Sequence, residues 1–189
     1  MDQVRDYLYR TAEAIRALPV EQIERIIDLL WQARQEGRQI FVFGNGGSAM
    51  TASHLACDLG KGTARPGHRR FKVLSLADNV ALMTAYANDL AYEDIFVEQL
   101  INLFQPGDVV IGISGSGNSE NVLQAVRYAR EHGGVTIGFT GFQGGKLKDL
   151  AEECLIVPSN DMQNIEDAHL VLTHILMQVF HRRVEEETE

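Results

Sequence analysis

Several kinds of residue are scarce in this sequence, and each shortage narrows its function. Only two cysteines occur, Cys57 and Cys154, and neither sits in a C-x-x-C pair. They give no disulfide framework and no dithiol redox motif, a usage that fits a reducing cytoplasm. No apolar run approaches the roughly 20 residues that span a bilayer. The opening MDQVRDYLYR is charged and lacks an apolar core segment, so no secretory leader is expected. Basic residues number 17 against 26 acidic ones, a net charge of −9, which argues against a reader of phosphate backbones. The densest basic stretch, Arg65, His68, Arg69, Arg70 and Lys72, reads as a solvated loop. Neither a membrane nor a nucleic acid is an expected partner.

What is present reads as one globular domain over residues 1–189, with hydrophobic residues at 45% and no linker, repeat or low-complexity segment. Val4, Leu8, Ala12 and Ile15, then Ile23, Ile26, Ile27, Leu30 and Ala33, recur at helical spacing on either side of Pro19. These two helices, within residues 1–37, need an apolar partner, either the later sheet or another copy of the chain, and their use in oligomer packing is expected. Beyond them, apolar runs (IFVF, FKVLSL, DVVIGIS, VTIGFT, CLIVPS) alternate with helical segments, among them one from Tyr92 to Leu103. A long amphipathic helix from about Gln163 to Val184 follows, and the acidic residues 185–189 are expected to fray. The expected fold class is α/β: a three-layer αβα sandwich with a central parallel sheet, an N-terminal helical hairpin and a long C-terminal helix.

Two loops share one design. Gly44 to Ser48, and Ser114 to Ser119 (SGSGNS), each follow an apolar strand and open a helix, the place where open α/β sheets bind ligands. Glycines allow close approach, the helix start offers free N–H groups, and serines add hydroxyls, so a phosphate could be held without formal positive charge. The plainer alternative makes Ser48 and Ser119 helix caps and the glycines simple turns. A P-loop pattern and G-x-G-x-x-G after the first strand are both missing, so a small phosphorylated metabolite is favoured over a nucleotide. His54 and Asp58 stand four apart and share one helix face. Glu166 and His174, eight apart, can share a broad face of the last helix. By spacing alone, a histidine four residues from an aspartate is more often a surface pair or a satisfied core histidine.

FGNGGSA, GISGSGNS, ANDLAYEDIF and IEDAHLVLTH, in that order over nearly the whole length, resemble the sugar-isomerase (SIS) fold and, within it, the phosphoheptose isomerase family. The resemblance implies a homotetramer with active sites at subunit interfaces, converting the ketose sedoheptulose 7-phosphate to an aldoheptose 7-phosphate. It implies one zinc or other divalent metal per site, held by His54, Asp58, Glu166 and His174, with Asp58 and His174 as base and acid. Substrate contacts carried over are Asn45, Gly46, Gly47, Ser48, Asp58, Asn88, Asp89, Ser114, Gly115, Ser116, Ser119 and Glu166. Asn88 and Asp89 could instead form a simple turn.

This sequence departs from the family at several of these positions. Asp58 replaces a glutamate and is one methylene shorter, Glu166 replaces a glutamine, Gly115 replaces a threonine, and Gln163 stands where an aspartate is common. Two imidazoles and two carboxylates would neutralise a divalent ion and, bound tetrahedrally, would leave no open position. The richer oxygen set could favour a harder metal. His169, between the proposed ligands, is expected to be structural, and His68, His132 and His181 to lie at the surface. Two rival readings are a sugar-phosphate sensor without turnover and a scaffold like the SIS relatives that bind the bacterial replication initiator. Four side chains able to ligate or transfer protons favour the enzyme.

Overall fold

The computed structural model describes residues 2–187. Its sheet comprises β1 (Gln39–Gly44), β2 (Lys72–Ser75), β3 (Val109–Ile113), β4 (Val135–Thr140) and β5 (Glu153–Ile156). The strands lie in the order β2-β1-β3-β4-β5, every neighbouring pair parallel. From β1 the chain steps outward to β2, then returns to β3 on the other side of β1. The order therefore reverses between β1 and β3, and the crevice beyond their carboxyl ends is the natural ligand site of such a sheet. Gly44 pairs with Ile113 in that register, so the two glycine and serine loops leave the sheet side by side.

Side chains alternating along β1 build the two outer layers. Ile40 and Val42 face α1 (Gln3–Arg16), α2 (Val20–Glu36), α3 (Gly47–Cys57) and α8 (Met162–Glu186). Phe41 and Phe43 face α5 (Val97–Leu103), α6 (Glu120–Glu131) and α7 (Leu147–Leu150). Burial on both faces is why the central strands read as continuous apolar runs rather than alternating ones. β2 is the exception: it lies at the edge and leaves Leu74 exposed.

Three features of the helical layers bear on assembly and on the site. α2 spends Ile23, Ile26, Ile27 and Leu30 on this chain's own core, whereas α1 buries only Ala14 and leaves Val4 and Leu8 exposed. The segment from Tyr92 to Leu103 is not one helix: a 3-10 turn at Tyr92–Asp94 precedes α5, and Ile95 and Phe96 are buried at the bend, Phe96 stacking on Phe43 with ring centres 5.2 Å apart. α4 (Val80–Asp89) has no buried residue despite its apolar sequence VALMTAYAND.

Residues 185–187 do not fray. α8 continues to Glu186, and Glu187 accepts two hydrogen bonds from Arg34, at 2.7 and 2.8 Å. That guanidinium is buried over Trp31 and beside Phe71, and its Nε donates to Arg69 O at 3.0 Å. The basic stretch is a loop that leaves Arg69, Arg70 and Lys72 exposed, as expected, but parts of it are tied down. Arg65 pairs with Glu185, His68 Nδ1 lies 3.4 Å from Glu187, and Arg69 donates to Gln35 O. Arg34 thus joins both segments to α2, the acidic one through an ion pair and the basic one through a backbone carbonyl; residues 188–189 lie outside the described residues.

Candidate active site

α3 and α8 run alongside one another in the same direction. Near their starts, a Cβ on Gly47 would come within 2.7 Å of the Glu166 carboxylate. Farther along, His54 Nε2 lies 3.0 Å from His174 Nε2. A π-helical segment, Asp58–Gly62, takes over where α3 ends, at the position where such segments often mark functional sites. It places Asp58 Oδ2 3.2 Å from His54 Nε2. Farther along α8, His181 Nδ1 lies 2.9 Å from Gly62 O, tying this segment to the helix that carries His174. His132 and His181 lie at the surface as expected, His181 bonded there, whereas His68 is largely covered.

The donor atoms of His54, Asp58 and His174 lie within 4.8 Å of one another. Asp58 Oδ2 is buried with no hydrogen-bond partner, and two neutral imidazoles meeting through Nε2 cannot both donate. A buried carboxylate oxygen without a donor is costly unless a cation or proton meets it. Two imidazole nitrogens and one carboxylate oxygen match the donor set of catalytic zinc sites, which keep a further position for water or substrate. The residues present therefore fit a divalent metal. Glu166 is not in this group, which corrects the expected set of four. Eight residues correspond to about 12 Å of helix rise, and its carboxylate instead meets the start of α3, whose partial positive charge suits it.

The first loop needs its glycines for separate reasons. Gly46 holds φ 54° and ψ −120° with open space around it, a backbone conformation that disfavours side chains. Gly47 lacks a side chain because Glu166 fills that space. Ser48 is buried inside the first turn of α3, its N–H donating to Asn45 O at 2.9 Å, and does not cap the helix. In the second loop Ser119 occupies the cap position of α6, but its hydroxyl meets Ser114 Oγ at 3.0 Å and makes no capping bond. Ser116 Oγ accepts from Asn118 N–H at 3.2 Å. A Cβ on Gly115 would come within 2.4 Å of Met162 Sδ, so a methionine fills the space beside the missing threonine side chain.

Asn88 and Asp89 stand exposed at the end of α4, bonded to each other at 2.7 Å, and are not gathered into the three-donor group. Asp89 precedes Tyr92 by three residues, and Tyr92 Oη reaches Asn45 Oδ1 at 2.9 Å, so this turn flanks the first loop. Asn45 also exchanges hydrogen bonds with Asn121. His169 is buried, with Nε2 3.1 Å from Thr140 O, and burial lowers its pKa to about 4; it is structural. Tyr92, Asn121 and Met162 carry no sequence signal of a site, since each reads as an ordinary residue of a turn or a helix start.

A family model for the SIS domain matches residues 3–141. The phosphoheptose isomerase of Aquifex aeolicus is 36% identical over 187 residues, 97% of this chain and 97% of its own. That of Paramagnetospirillum magneticum is 42% identical over 166 residues, 88% of this chain and 84% of its own. The solved structure of phosphoheptose isomerase GmhA from Neisseria gonorrhoeae superposes with a TM-score of 0.88 at 29% identity, covering 95% of this chain and 97% of that one. With fold, loops and relatives in agreement, this chain belongs to the phosphoheptose isomerase family of SIS-domain proteins.

Proposed function

We propose that the protein is an aldose-ketose isomerase interconverting sedoheptulose 7-phosphate and an aldoheptose 7-phosphate. The observation that carries this reading is the orphan Asp58 carboxylate beside two imidazoles, in a chain whose loops after β1 and β3 can hold an anion through amides and hydroxyls. In the open-chain ketose, Asp58 takes the proton from C1. The C1–H electron pair becomes the C1–C2 double bond, and the C2 carbonyl oxygen gains the charge, giving an enediolate. His174 moves the hydroxyl proton from O1 to O2, and Asp58 returns its proton to C2. The Ser114–Ser119 loop holds the phosphate, and Glu166 at the first loop accepts from sugar hydroxyls. His54, Asp58 and His174 would hold one zinc or other divalent ion per site, which when bound supplies Lewis-acid polarisation of the carbonyl.

Exposed apolar side chains on α1 and α4 support a homotetramer whose sites are completed at subunit interfaces. Free Cys57 and Cys154 support a cytoplasmic setting. The sensor and scaffold readings are not favoured, because the donors converge and the relatives are named as isomerases.

The test is conversion of sedoheptulose 7-phosphate by metal-loaded protein, followed by NMR. Turnover is expected in the wild type, and Asp58→Asn is expected to lower it by about a thousandfold or more while sugar-phosphate binding stays within a few-fold. A wild type that binds but never isomerises would replace this reading with the sensor.

A further inference from the structure

A hydrogen-bonded junction that the mechanism does not use links the two loops. Asn45, in the first loop, and Asn121, in the first turn of α6 just after the second, face each other as reciprocal amides. Asn45 Nδ2 donates to Asn121 Oδ1 and Asn121 Nδ2 donates to Asn45 Oδ1, both at 2.9 Å, across 76 residues of sequence. Tyr92 Oη adds a second donor to Asn45 Oδ1 at 2.9 Å, and Val122 N–H a second donor to Asn121 Oδ1 at 2.9 Å. Each amide oxygen thus has both acceptor sites filled. Asn121 is 2% exposed, so water cannot replace these bonds. One hydrogen bond fixes a distance, but a reciprocal pair also fixes how the two amide planes are turned. Tyr92 extends the hold to the turn that follows α4.

We infer that Asn121 is a positioning residue that acts through Asn45. It holds the phosphate loop at a set separation from the loop that leads into α3, and so from the His54, Asp58 and His174 group. The side chain of Asn45 is then a strut between loops, with its backbone left to face the sugar. The inference rests on the isomerase reading and adds to it. A ligand that touches only the second loop does not feel the junction, whereas a sugar phosphate that spans both loops does. The junction thereby takes part in choosing the length of sugar that the site accepts.

That difference supplies the test. Asn121→Leu keeps the side chain's outline and adds no charge near the phosphate; Tyr92→Phe, at an exposed side chain, removes one donor only. On the full chain, dissociation constants for inorganic phosphate and for sedoheptulose 7-phosphate are measured by calorimetry, together with kcat and KM. Asn121→Leu is expected to hold inorganic phosphate within about twofold of wild type while weakening the sugar phosphate, or lowering kcat, by about tenfold; Tyr92→Phe shifts the same ratio by about threefold. Equal weakening of both ligands, or a lower Tm with unchanged kinetics and binding, would overturn the inference. If Asn121→Leu does not fold, the Tyr92→Phe ratio decides. Should the wild type bind the sugar phosphate without turning it over, the isomerase reading fails, and the binding ratios still judge the junction.

Discussion

The His169 imidazole has one ring nitrogen 3.1 Å from Thr140 O and the other buried without a partner, and burial takes its pKa from 6.5 to about 4. The unfolded chain therefore binds a proton at higher pH than the folded one. Stability from the neutral ring is complete above about pH 6.5 and is lost as pH falls from there towards 4, by an amount on the order of 3 kcal/mol. His169→Gln can still donate to Thr140 O but does not titrate in this range. Urea unfolding at pH 7, 5.5 and 4.5 is expected to show a shallower loss of stability for the variant; parallel losses would remove His169 as the cause. Other residues were legible in the sequence to different degrees. The spacing of His54 and Asp58 announced a shared face, and the glycines and serines announced two loops. The space beside Gly115 was not legible, because the group that fills it, Met162 Sδ, comes 47 positions later and meets it only through the fold. Glu166 was half legible: its spacing from His174 gives the helix rise, but not that Gly47 would receive its carboxylate.

Between elements, the largest gap between sequence and structure is the tie from α2 to the end of α8. Arg34 sits in the last turn of an amphipathic helix, where sequence alone reads a solvated cation; Trp31 and Phe71 instead enclose it, and Glu187 and Arg69 O take its donors. The pairing of a basic stretch with an acidic one is long-range, and composition could not reveal it. The Arg34 guanidinium holds the Glu187 carboxyl below the usual carboxylate range. Removing one partner of a buried pair leaves a charge unpaired, and because Glu187 is about a third exposed we expect a loss of about 2 kcal/mol for Glu187→Ala rather than the full cost of a dry pair. Denaturant unfolding measures it. Arg34→Met combined with Glu187→Ala is expected to recover part of the loss, since no charge is then stranded. A Glu187→Ala variant as stable as wild type would show the tie to be inert.

At the scale of the whole molecule, alternation of apolar runs with helical periods was enough to predict a parallel sheet between two helical layers, because a strand buried on both faces has no polar side to display. Subunit assembly leaves a weaker trace in sequence, since an apolar helix reads the same whether its own sheet or another copy covers it. Here the structure separates the two cases. α2 is covered by its own chain, whereas Val80 (67% exposed), Leu82 (38%) and Leu90 (57%) on or beside α4 and Val4 and Leu8 on α1 are left uncovered. Apolar side chains of this kind on two helices favour burial against other copies, and closed symmetric assemblies are the usual outcome. In the proposed homotetramer, replacing Val80 and Leu82 together with aspartate places charge on that face without touching either core. Sedimentation velocity is expected to show the wild type as one tetrameric species and the double variant as smaller ones, with isomerase activity reduced in step if, as proposed, the sites are completed between subunits. A wild type that sediments as a fully active monomer would refute both the tetramer and the interfacial site, and would leave the exposed face of α4 to be explained by some other partner.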